Sequence, residues 1–486
     1  MIGGSSRRVT DQGEYTKECD RCTKDSGFHG RMIGNWVCWL EYGGRLLHPK
    51  SVMIWNRLTA PEDSAPDQPE REITRRGVLS GAMALGVGAG VGHVLTKGSA
   101  ATGGGSSREA AGQAVQFYAS HQAGIATAAQ DYLHFAAFDV TSDAVEDLRG
   151  ILEEWTAAAV ALTAGRSYQP QAQELGMPPV DPGEAVGLGP ARLTVTIGFG
   201  PSLFGSPGTD RFGLAGRRPG LLQALPVFQG DSIEPGRSGG DLCVQACAED
   251  PQVAFHAVHL FERIASSAAT LRWSQLGFGR TSSTTRAQTT PRNLMGFKDG
   301  TDNIRAEDTQ AMNDFVWVQH ADGPAWMSGG TYLVARRIRI LFDVWDTTSL
   351  EGQQRTIGRE KLSGAPLGEK REDDPVDLNA TSADGELAIP ANAHIRLANP
   401  ENNDGQRILR RGYSYCEAAE PGTGEIDAGL FFIAFQRNPA RQFIPLQRRL
   451  AASDALNRHT LHTSSAIFAC PPGARPGGFI GEGLFA

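Results

Sequence analysis

Cysteine is scarce in this sequence, which has seven cysteines among 486 residues. Beyond residue 100 only four remain, namely Cys243, Cys247, Cys416 and Cys470. Cys243 and Cys247 are four residues apart in a predicted strand and point to the same face, which does not favour a bridge between them. The chain therefore lacks the cysteine pattern of a small disulfide-stabilised protein, and we expect no disulfide framework.

An excess of positive charge is also lacking. The chain has 46 Lys and Arg residues against 54 Asp and Glu, a net charge of -8. This balance argues against nucleic acid as the main partner. Residues 1–100 carry 13 basic and 11 acidic side chains, whereas residues 101–486 carry 33 and 43. The first hundred residues are thus chemically distinct from the rest.

Strongly hydrophobic runs are missing, although twenty uncharged residues, 77–96, follow Thr74-Arg75-Arg76. A twin arginine, a moderately apolar run and small residues after it are typical of an export signal of the twin-arginine (Tat) type. A membrane-spanning helix is the alternative, but six glycines make this run weakly hydrophobic. We expect residues 74–101 to be a signal peptide for the Tat translocase, and the protein to act in the periplasm or outside the cell.

Residues 1–73 precede this signal and show neither apolar periodicity nor a plausible core. An export signal is normally found near the start of a chain. We therefore expect residues 1–73 to be a non-native or disordered N-terminal extension, with translation beginning downstream.

After the signal, strand and helix patterns follow the order β-α-β-β-α-β, and a similar order then repeats. This order is typical of ferredoxin-like units, in which helices cover one face of an antiparallel sheet. We predict an α+β fold of two such domains, residues 102–290 and 291–486. A segment rich in Asp, Glu, Gly and Pro, residues 362–390, is expected to be a long surface loop. The predicted strands are 132–140, 193–199, 241–247, 276–280, 331–344, 412–417, 430–436 and 468–470, and the predicted helices are 142–164, 251–273, 349–361 and 440–452.

Three segments of the second half carry residues suited to chemistry. In NLMGFKDGT, residues 293–301, an aspartate stands between glycines in a predicted tight turn that can approach a ligand closely. AHIRLANP at 393–400 contains a histidine, and ILRRGYSY at 408–415 contains two adjacent arginines. Each segment alone is compatible with an ordinary turn or a core histidine. His256 and His259 could bind a metal from one helix, but no carboxylate or cysteine nearby in sequence completes that site.

Together these segments resemble the dye-decolorising (DyP-type) haem peroxidases, and most closely the Tat-exported branch also described as deferrochelatase/peroxidase. The resemblance covers roughly residues 112–486. It implies that the two ferredoxin-like domains form a dimeric α+β barrel-like structure. It also implies a pocket in the C-terminal half that holds one non-covalently bound haem b per chain, and a homodimer.

The resemblance assigns roles residue by residue. His394 matches the axial ligand of the haem iron, and Asp299 matches the distal acid-base residue. Arg410 matches the distal arginine, with the adjacent Arg411 as the alternative. The residues that match segments around the haem edge are Gly300, Thr301, Asp302, Asn399, Pro400 and Glu401.

The proximal side departs from the family pattern. Relatives tend to have a carboxylate near the position of Arg458, where it accepts a hydrogen bond from the axial imidazole. Here the segment reads Asp454-Ala455-Leu456-Asn457-Arg458. We therefore expect that another acceptor orients His394, or that the imidazole donates less electron density to the iron. The aromatic side chains expected to form an apolar wall, with ordinary core packing as the alternative, are Phe431, Phe432 and Phe435.

The resemblance implies a peroxidase that uses hydrogen peroxide to oxidise bulky aromatic or dye-like reductants. One positioned carboxylate can remove a proton from peroxide and return it to the leaving oxygen, and a fixed guanidinium can stabilise the charge that develops there. The alternative is a deferrochelatase that releases iron from haem, a porphyrin substrate, together with iron-uptake proteins. A third possibility is that the fold binds no haem.

Overall fold

The computed structural model describes three short strands near the N-terminus and residues 113–169, 175–205, 209–382, 385–419 and 424–486. The chain divides into two compact units, Met1–Gly98 and Ser99–Ala486. The first unit contains an antiparallel sheet of three strands, β1 (Gly30–Met32), β2 (Cys38–Tyr42) and β3 (Arg45–Leu47). The predicted signal peptide lies outside the described residues. Among those that are described, no helix is long and apolar enough to cross a membrane.

The second unit begins with a β-α-β-β-α-β arrangement, here called the N-terminal repeat. Its four strands pair antiparallel in the order β7-β4-β6-β5, so that the fourth strand lies beside the first. This is the strand order of a ferredoxin-like sheet. The elements are β4 (Tyr132–Val140), α1 (Val145–Thr163), β5 (Thr194–Phe199), β6 (Leu242–Ala248), α2 (Pro251–Ala265) and β7 (Ala269–Arg280).

A connection that includes α3 (Thr309–Phe315) leads to the C-terminal repeat, whose main strands pair in the equivalent order β13-β8-β11-β10. The predicted duplication is therefore confirmed. The elements are β8 (Thr331–Ile340), α4 (Phe342–Asp346), α5 (Leu350–Ile357), α6 (His394–Ala398), β9 (Leu409–Arg410), β10 (Tyr413–Ala419), β11 (Ile426–Gln436), α7 (Phe443–Ser453), β12 (Thr460–His462) and β13 (Ala466–Cys470).

The two sheets join edge to edge into a closed barrel. Strand β13 pairs with β5 through Ala469 and Phe199, and β10 pairs with β7 through Ser414 and Phe278. Closure leaves none of these eight strands with a free edge along the joined sides. The barrel interior is filled by apolar side chains of both repeats, including Phe135, Trp273, Leu333, Tyr413, Phe431 and Phe468.

Several predicted elements were wrong in extent. The helix predicted at 349–361 ends at Ile357, and the strand predicted at 276–280 is only the last part of β7. The helix predicted at 251–273 ends at Ala265, and strand β7 begins at Ala269. Strand β7 pairs with β4 along most of its length, so tertiary pairing overrides the helical spacing of its apolar residues. The strand predicted at 331–344 ends at Ile340, where the chain turns into helix α4.

Candidate functional site

A cavity lies on the outer face of the C-terminal sheet, between strands β8 and β11 and helices α6 and α7. The loop that carries residues 293–302 closes another side. Asp299, His394 and Arg410 all line this cavity. The fold therefore brings together three residues that are up to 111 positions apart in the chain.

His394 is the first residue of helix α6, and its imidazole faces the cavity. Its Nδ1 lies 2.6 Å from Oδ2 of Asp454, a side chain that is only 3% exposed. Beside a carboxylate, Nδ1 carries the proton, so Nε2 retains its lone pair for a ligand. Burial lowers the pKa of His394, but the charge and hydrogen bond of Asp454 outweigh burial and raise it above its usual value.

Asp454 is thus the other acceptor that the sequence led us to expect for His394. Asp454 caps the C-terminus of helix α7, and its other oxygen, Oδ1, accepts a hydrogen bond from the backbone N–H of Leu456 at 2.8 Å. The acceptor lies four positions before Arg458. Because it is a buried carboxylate with a fixed partner of its own, it can orient the imidazole firmly.

Asp299 stands in a tight turn between two glycines. Gly296 and Gly300 have φ angles of 85° and 87°, which favour glycine. A Cβ on Gly300 would lie 2.7 Å from the Cα of Ser282, so the turn packs too closely for a side chain there. The backbone N–H of Asp299 donates to the carbonyl of Pro291 at 2.9 Å. The carboxylate is thereby presented to the cavity by a compact loop.

Both carboxylate oxygens of Asp299 accept hydrogen bonds. Nη1 of Arg410 lies 2.8 Å from Oδ1, and Nδ2 of Asn293 lies 3.2 Å from Oδ2. Asn293 belongs to the same motif as Asp299, but the sequence did not indicate this contact. The pairing holds the carboxylate at two points and places a guanidinium beside it.

The structure distinguishes the two adjacent arginines. Arg410 points into the cavity, and its backbone is fixed by Asn303, whose Oδ1 accepts from the Arg410 N–H at 2.8 Å. Arg411 points to the opposite face, as neighbouring strand residues do. It is fully buried, and its guanidinium donates to Oε1 of Gln130 at 2.5 Å and to the carbonyl of Thr127. Arg411 therefore does not reach the cavity.

Most residues predicted to surround the haem edge line the same cavity. They are Gly300, Thr301, Asp302, Asn399 and Pro400. Glu401 differs, because it is exposed in the short 3-10 helix Pro400–Asn402 and is not part of the lining.

The predicted apolar wall was wrong for two of its three aromatic residues. Phe432 lines the cavity, but Phe431 and Phe435 point into the barrel interior. Alternation along a strand sends successive side chains to opposite faces. Leu430 therefore joins Phe432 on the cavity side.

Three arginines and a histidine of the cavity were missed in the sequence. Arg336 is fully buried on β8 and forms an ion pair with Asp231, while its Nε has no hydrogen-bond partner among the described residues. His462 also lines the cavity, and burial, together with the nearby Arg336, lowers its pKa to about 3. Arg359 and Arg407 complete the set. No local motif marks these residues, because separate segments bring them to one surface.

This set of side chains fits a haem b. Such a group needs an axial ligand, apolar contact for a flat ring and partners for two carboxylates. The free Nε2 of His394 meets the first need, and the apolar lining meets the second. Arg336, with its unpaired Nε, is a suitable donor to a carboxylate, as are Arg359 and Arg407.

The His256 and His259 pair is engaged by a carboxylate that is distant in sequence. The Nδ1 atoms of both imidazoles lie 2.6 and 2.5 Å from the two oxygens of Glu184. Within the part of the chain that the structure describes, no group of three or more His, Cys, Asp or Glu side chains has the arrangement of a metal site.

Two protein-family models match the chain. The Dyp-type peroxidase N-terminal model matches residues 122–279, and the Dyp-type peroxidase C-terminal model matches residues 290–475. The dye-decolorizing peroxidase of Thermobifida fusca is 41% identical over 436 residues, which cover 86% of this chain and 99% of that protein. The deferrochelatase of Yersinia pestis (Nepal516) is 36% identical over 420 residues, covering 85% and 94%.

Solved structures agree with these similarities. A DyP-type peroxidase from Streptomyces coelicolor superposes with a TM-score of 0.70 at 39% identity, covering 77% of this chain and 97% of the other. Ferric DtpA from Streptomyces lividans gives a TM-score of 0.71 at 38% identity, covering 78% and 99%. Both repeats and the residues of the cavity lie largely within the regions that the family models match.

Proposed function

The chain belongs to the Dyp-type peroxidase family, and on this premise we propose that it is a haem b peroxidase that uses hydrogen peroxide to oxidise bulky aromatic or dye-like reductants. One observation carries the proposal. One cavity is lined by two groups of side chains. The guanidinium of Arg410 lies 2.8 Å from the carboxylate of Asp299, and Nδ1 of the His394 imidazole lies 2.6 Å from the buried carboxylate of Asp454. This combination offers an axial ligand, a base and a charge stabiliser.

His394 would bind the haem iron through Nε2, because Nδ1 is committed to Asp454. Arg336, Arg359 and Arg407 would pair with the two carboxylates, and the segments that contain Gly300 and Asn399 would line the edge of the ring. When bound, haem b would supply the iron that takes up peroxide and the store of oxidising equivalents that the reductant later removes.

Asp299 would move the proton. Peroxide must lose a proton from one oxygen and regain it on the other, and a single carboxylate beside both oxygens can do this. Arg410 and Asn293 each bind one carboxylate oxygen, which leaves further lone pairs to accept the proton. These two contacts keep the carboxylate oriented before and after the transfer.

Arg410 would stabilise the negative charge that develops on the leaving oxygen. Its guanidinium is fixed by Asp299 and by the paired backbone at Asn303, so little reorganisation is needed when charge appears. A guanidinium keeps its proton at any physiological pH, so it cannot compete with Asp299 as the base.

A haem titration tests the proposal. The haem-free protein is titrated with haem while the Soret band is recorded, and dye oxidation is then measured with and without hydrogen peroxide. We expect one haem per chain, with dye oxidation that requires peroxide. His394→Ala should lose the Soret shift of an axially bound haem, whereas His320→Ala, at an exposed histidine, should titrate like the wild type. Equal titrations of all three proteins would contradict the assignment of His394.

A second candidate function is the release of iron from haem. The supporting observation is the 36% identity to a protein named deferrochelatase, over 94% of its length. Incubation of the protein with haem and a reductant should then produce the fluorescence of metal-free porphyrin. If only dye oxidation is seen, the peroxidase function stands alone.

Export by the Tat translocase to the periplasm or the exterior forms part of the proposal, with iron-uptake proteins as partners of the second candidate function and a homodimer as the assembly. The twin arginine at Arg75-Arg76 supports export. Arg75→Lys together with Arg76→Lys should retain the protein inside the cell, as judged by fractionation. Light scattering of the purified protein would test the dimer.

A further inference from the structure

The segment 362–390 was expected to be a surface loop, but its first part packs against the loop that carries Asp299. Arg292 lies just before that loop and donates to the backbone carbonyls of Lys361 and Leu362 at 2.6 and 2.7 Å. The same guanidinium also donates to a carbonyl of its own loop. The two segments are therefore tied together through main-chain atoms.

The side chain of Lys298 continues this contact. The methylene groups of Lys298 pack directly against Gly364, where a Cβ would lie 2.7 Å from Cδ of the lysine. The absence of a side chain at Gly364 makes this close contact possible. The Lys298 ammonium then forms an ion pair with Oε2 of Glu372. The other carboxylate oxygen, Oε1, accepts a hydrogen bond from the hydroxyl of Thr301 at 3.0 Å. One carboxylate thus holds residues on both sides of Asp299.

Glu372 is itself firmly placed. Its side chain is only 15% exposed, and its backbone carbonyl accepts a hydrogen bond from Arg359 at 3.1 Å. Burial raises the pKa of the Glu372 carboxyl, but hydrogen bonds from Lys298, Thr290 and Thr301 outweigh burial and hold the pKa below its usual value. Glu372 therefore remains ionised while it makes these contacts.

We propose that Glu372 is a positioning residue that fixes the turn from Lys298 to Thr301 and so holds Asp299 against Arg410. This inference rests on the proposed function, because it takes Asp299 as the base. The turn contains Gly300 and follows Gly296, and glycine can adopt more backbone conformations than any other residue. A loop with such freedom needs an external anchor if its carboxylate is to stay in one place.

Glu372 also keeps a charge away from the base. Lys298 is the neighbour of Asp299 in the chain, and its ammonium is neutralised by Glu372. Without that partner, the ammonium can turn to the carboxylate of Asp299 and compete with Arg410. The loss of Glu372 therefore acts in two ways, by loosening the turn and by freeing a competing cation.

The test measures the rate of the Soret change after mixing the haem-loaded protein with hydrogen peroxide, in Glu372→Ala and Glu372→Gln. Glu372→Ala should lower the second-order rate constant by about tenfold or more, since a misplacement of about 1 Å can reduce rates by about 10²-fold. Glu372→Gln should fall between this variant and the wild type, because its amide oxygen can still accept from Thr301. Asp373→Asn is the matched control, since it removes a neighbouring exposed carboxylate, and should react like the wild type.

A rescue experiment separates positioning from a purely structural role. Lys298→Met in the Glu372→Ala background removes the freed ammonium and should recover part of the lost rate. If Glu372 only stabilised the fold, the second substitution would leave the rate unchanged or lower it further. Thermal unfolding and haem content, measured on every variant, should stay near the wild-type values for Glu372→Gln, which decides the matter if Glu372→Ala does not fold.

Asp299→Asn, measured in the same series, separates a failure of the positioning role of Glu372 from a failure of the proposed function. If Asp299→Asn reacts slowly while both Glu372 variants react at the wild-type rate, the positioning role is overturned and the proposed function stands. If Asp299→Asn itself reacts at the wild-type rate, the proposed function fails. Slow reaction of all three, with recovery on adding Lys298→Met, supports the positioning role.

Discussion

The two repeats share one topology but use the outer faces of their sheets differently. In the N-terminal repeat, helices α1 and α2, of 19 and 15 residues, cover the sheet and fill the space with apolar side chains. In the C-terminal repeat, α6 and α7 have only 5 and 11 residues, and the cavity lies beneath them. The same topology therefore carries a packed apolar face in one repeat and a cavity in the other.

The first strands of the repeats show the difference in their side chains. On β4, the residues facing the helices include Phe138 and Val140, both buried in the apolar core. On β8, the residues facing the cavity are Arg336, Ile338 and Ile340. A buried arginine without full pairing is unfavourable in a core, whereas it suits a site that receives an anionic group. Stability and chemistry are thus assigned to different halves of one barrel.

The largest expected effect on stability concerns the core of the N-terminal repeat. Trp155 is fully buried, stacks on Phe261 and donates from its indole to the carbonyl of Phe261 at 2.9 Å. Trp155→Ala should lower the free energy of unfolding by about 3–5 kcal/mol. At equal haem content, the peroxide rate should not change. A large loss of the peroxide rate in correctly folded, haem-loaded Trp155→Ala would contradict the assignment of stability and chemistry to different repeats.

The next effect concerns the cavity of the C-terminal repeat. Arg410→Leu removes the guanidinium that pairs with Asp299. The peroxide step should slow by about 10²–10³-fold, as when a donor to developing oxyanion charge is removed. Arg441→Leu, at an exposed arginine, serves as the control in the same stopped-flow assay. Equal rates for both variants would show that Arg410 plays no part in the chemistry.

A pH-dependent effect on stability is expected from a buried histidine of the N-terminal repeat. Burial lowers the pKa of His134 from 6.5 to about 4. The unfolded chain therefore takes up a proton at higher pH than the folded one, and stability is lost as the pH falls from 6.5 towards 4. His134→Phe should remove roughly 3 kcal/mol of this acid sensitivity. Denaturant unfolding at several pH values checks this, and identical pH slopes in both proteins would contradict it.

The smallest effect concerns the second contact of the Asp299 carboxylate. Asn293→Ala removes the hydrogen bond of 3.2 Å to Oδ2 of Asp299, and also the Oδ1 acceptor of the backbone N–H groups of Met295 and Phe297. Loss of the bond to Asp299 alone is worth about 1 kcal/mol, which corresponds to a decrease of at least roughly fivefold in the peroxide rate. Asn379→Ala, an exposed asparagine in the same repeat, should leave the rate unchanged. A loss as large as that of Arg410→Leu would mean that Asn293 has a direct part in the chemistry.

Features set by local sequence were predicted well. The strand at 132–140 was placed with its observed bounds, and the turn around Asp299 was identified from its glycines. The duplicated fold followed from the order of such elements. Each of these inferences depends on neighbouring residues, whose pattern is visible in the chain.

Features of the site that depend on tertiary contacts could not be predicted from the sequence in this way. The sequence left Arg410 and Arg411 as alternatives, because only the strand's orientation decides which one faces the cavity. The acceptor Asp454 is 60 residues from His394, and its role depends on where helix α7 ends. Arg336 looks like any strand arginine until the sheet brings it to the cavity. In each case the deciding contact is between segments far apart in sequence.

The central claim is that Asp299 moves the proton of hydrogen peroxide at a haem held by His394. Stopped-flow absorption of the haem-loaded wild type and Asp299→Asn, mixed with hydrogen peroxide, tests it most directly. We expect a Soret change within milliseconds in the wild type and a rate lower by about 10²–10⁴-fold in the variant, with haem still bound. A haem-loaded Asp299→Asn variant that reacts as fast as the wild type would contradict the claim.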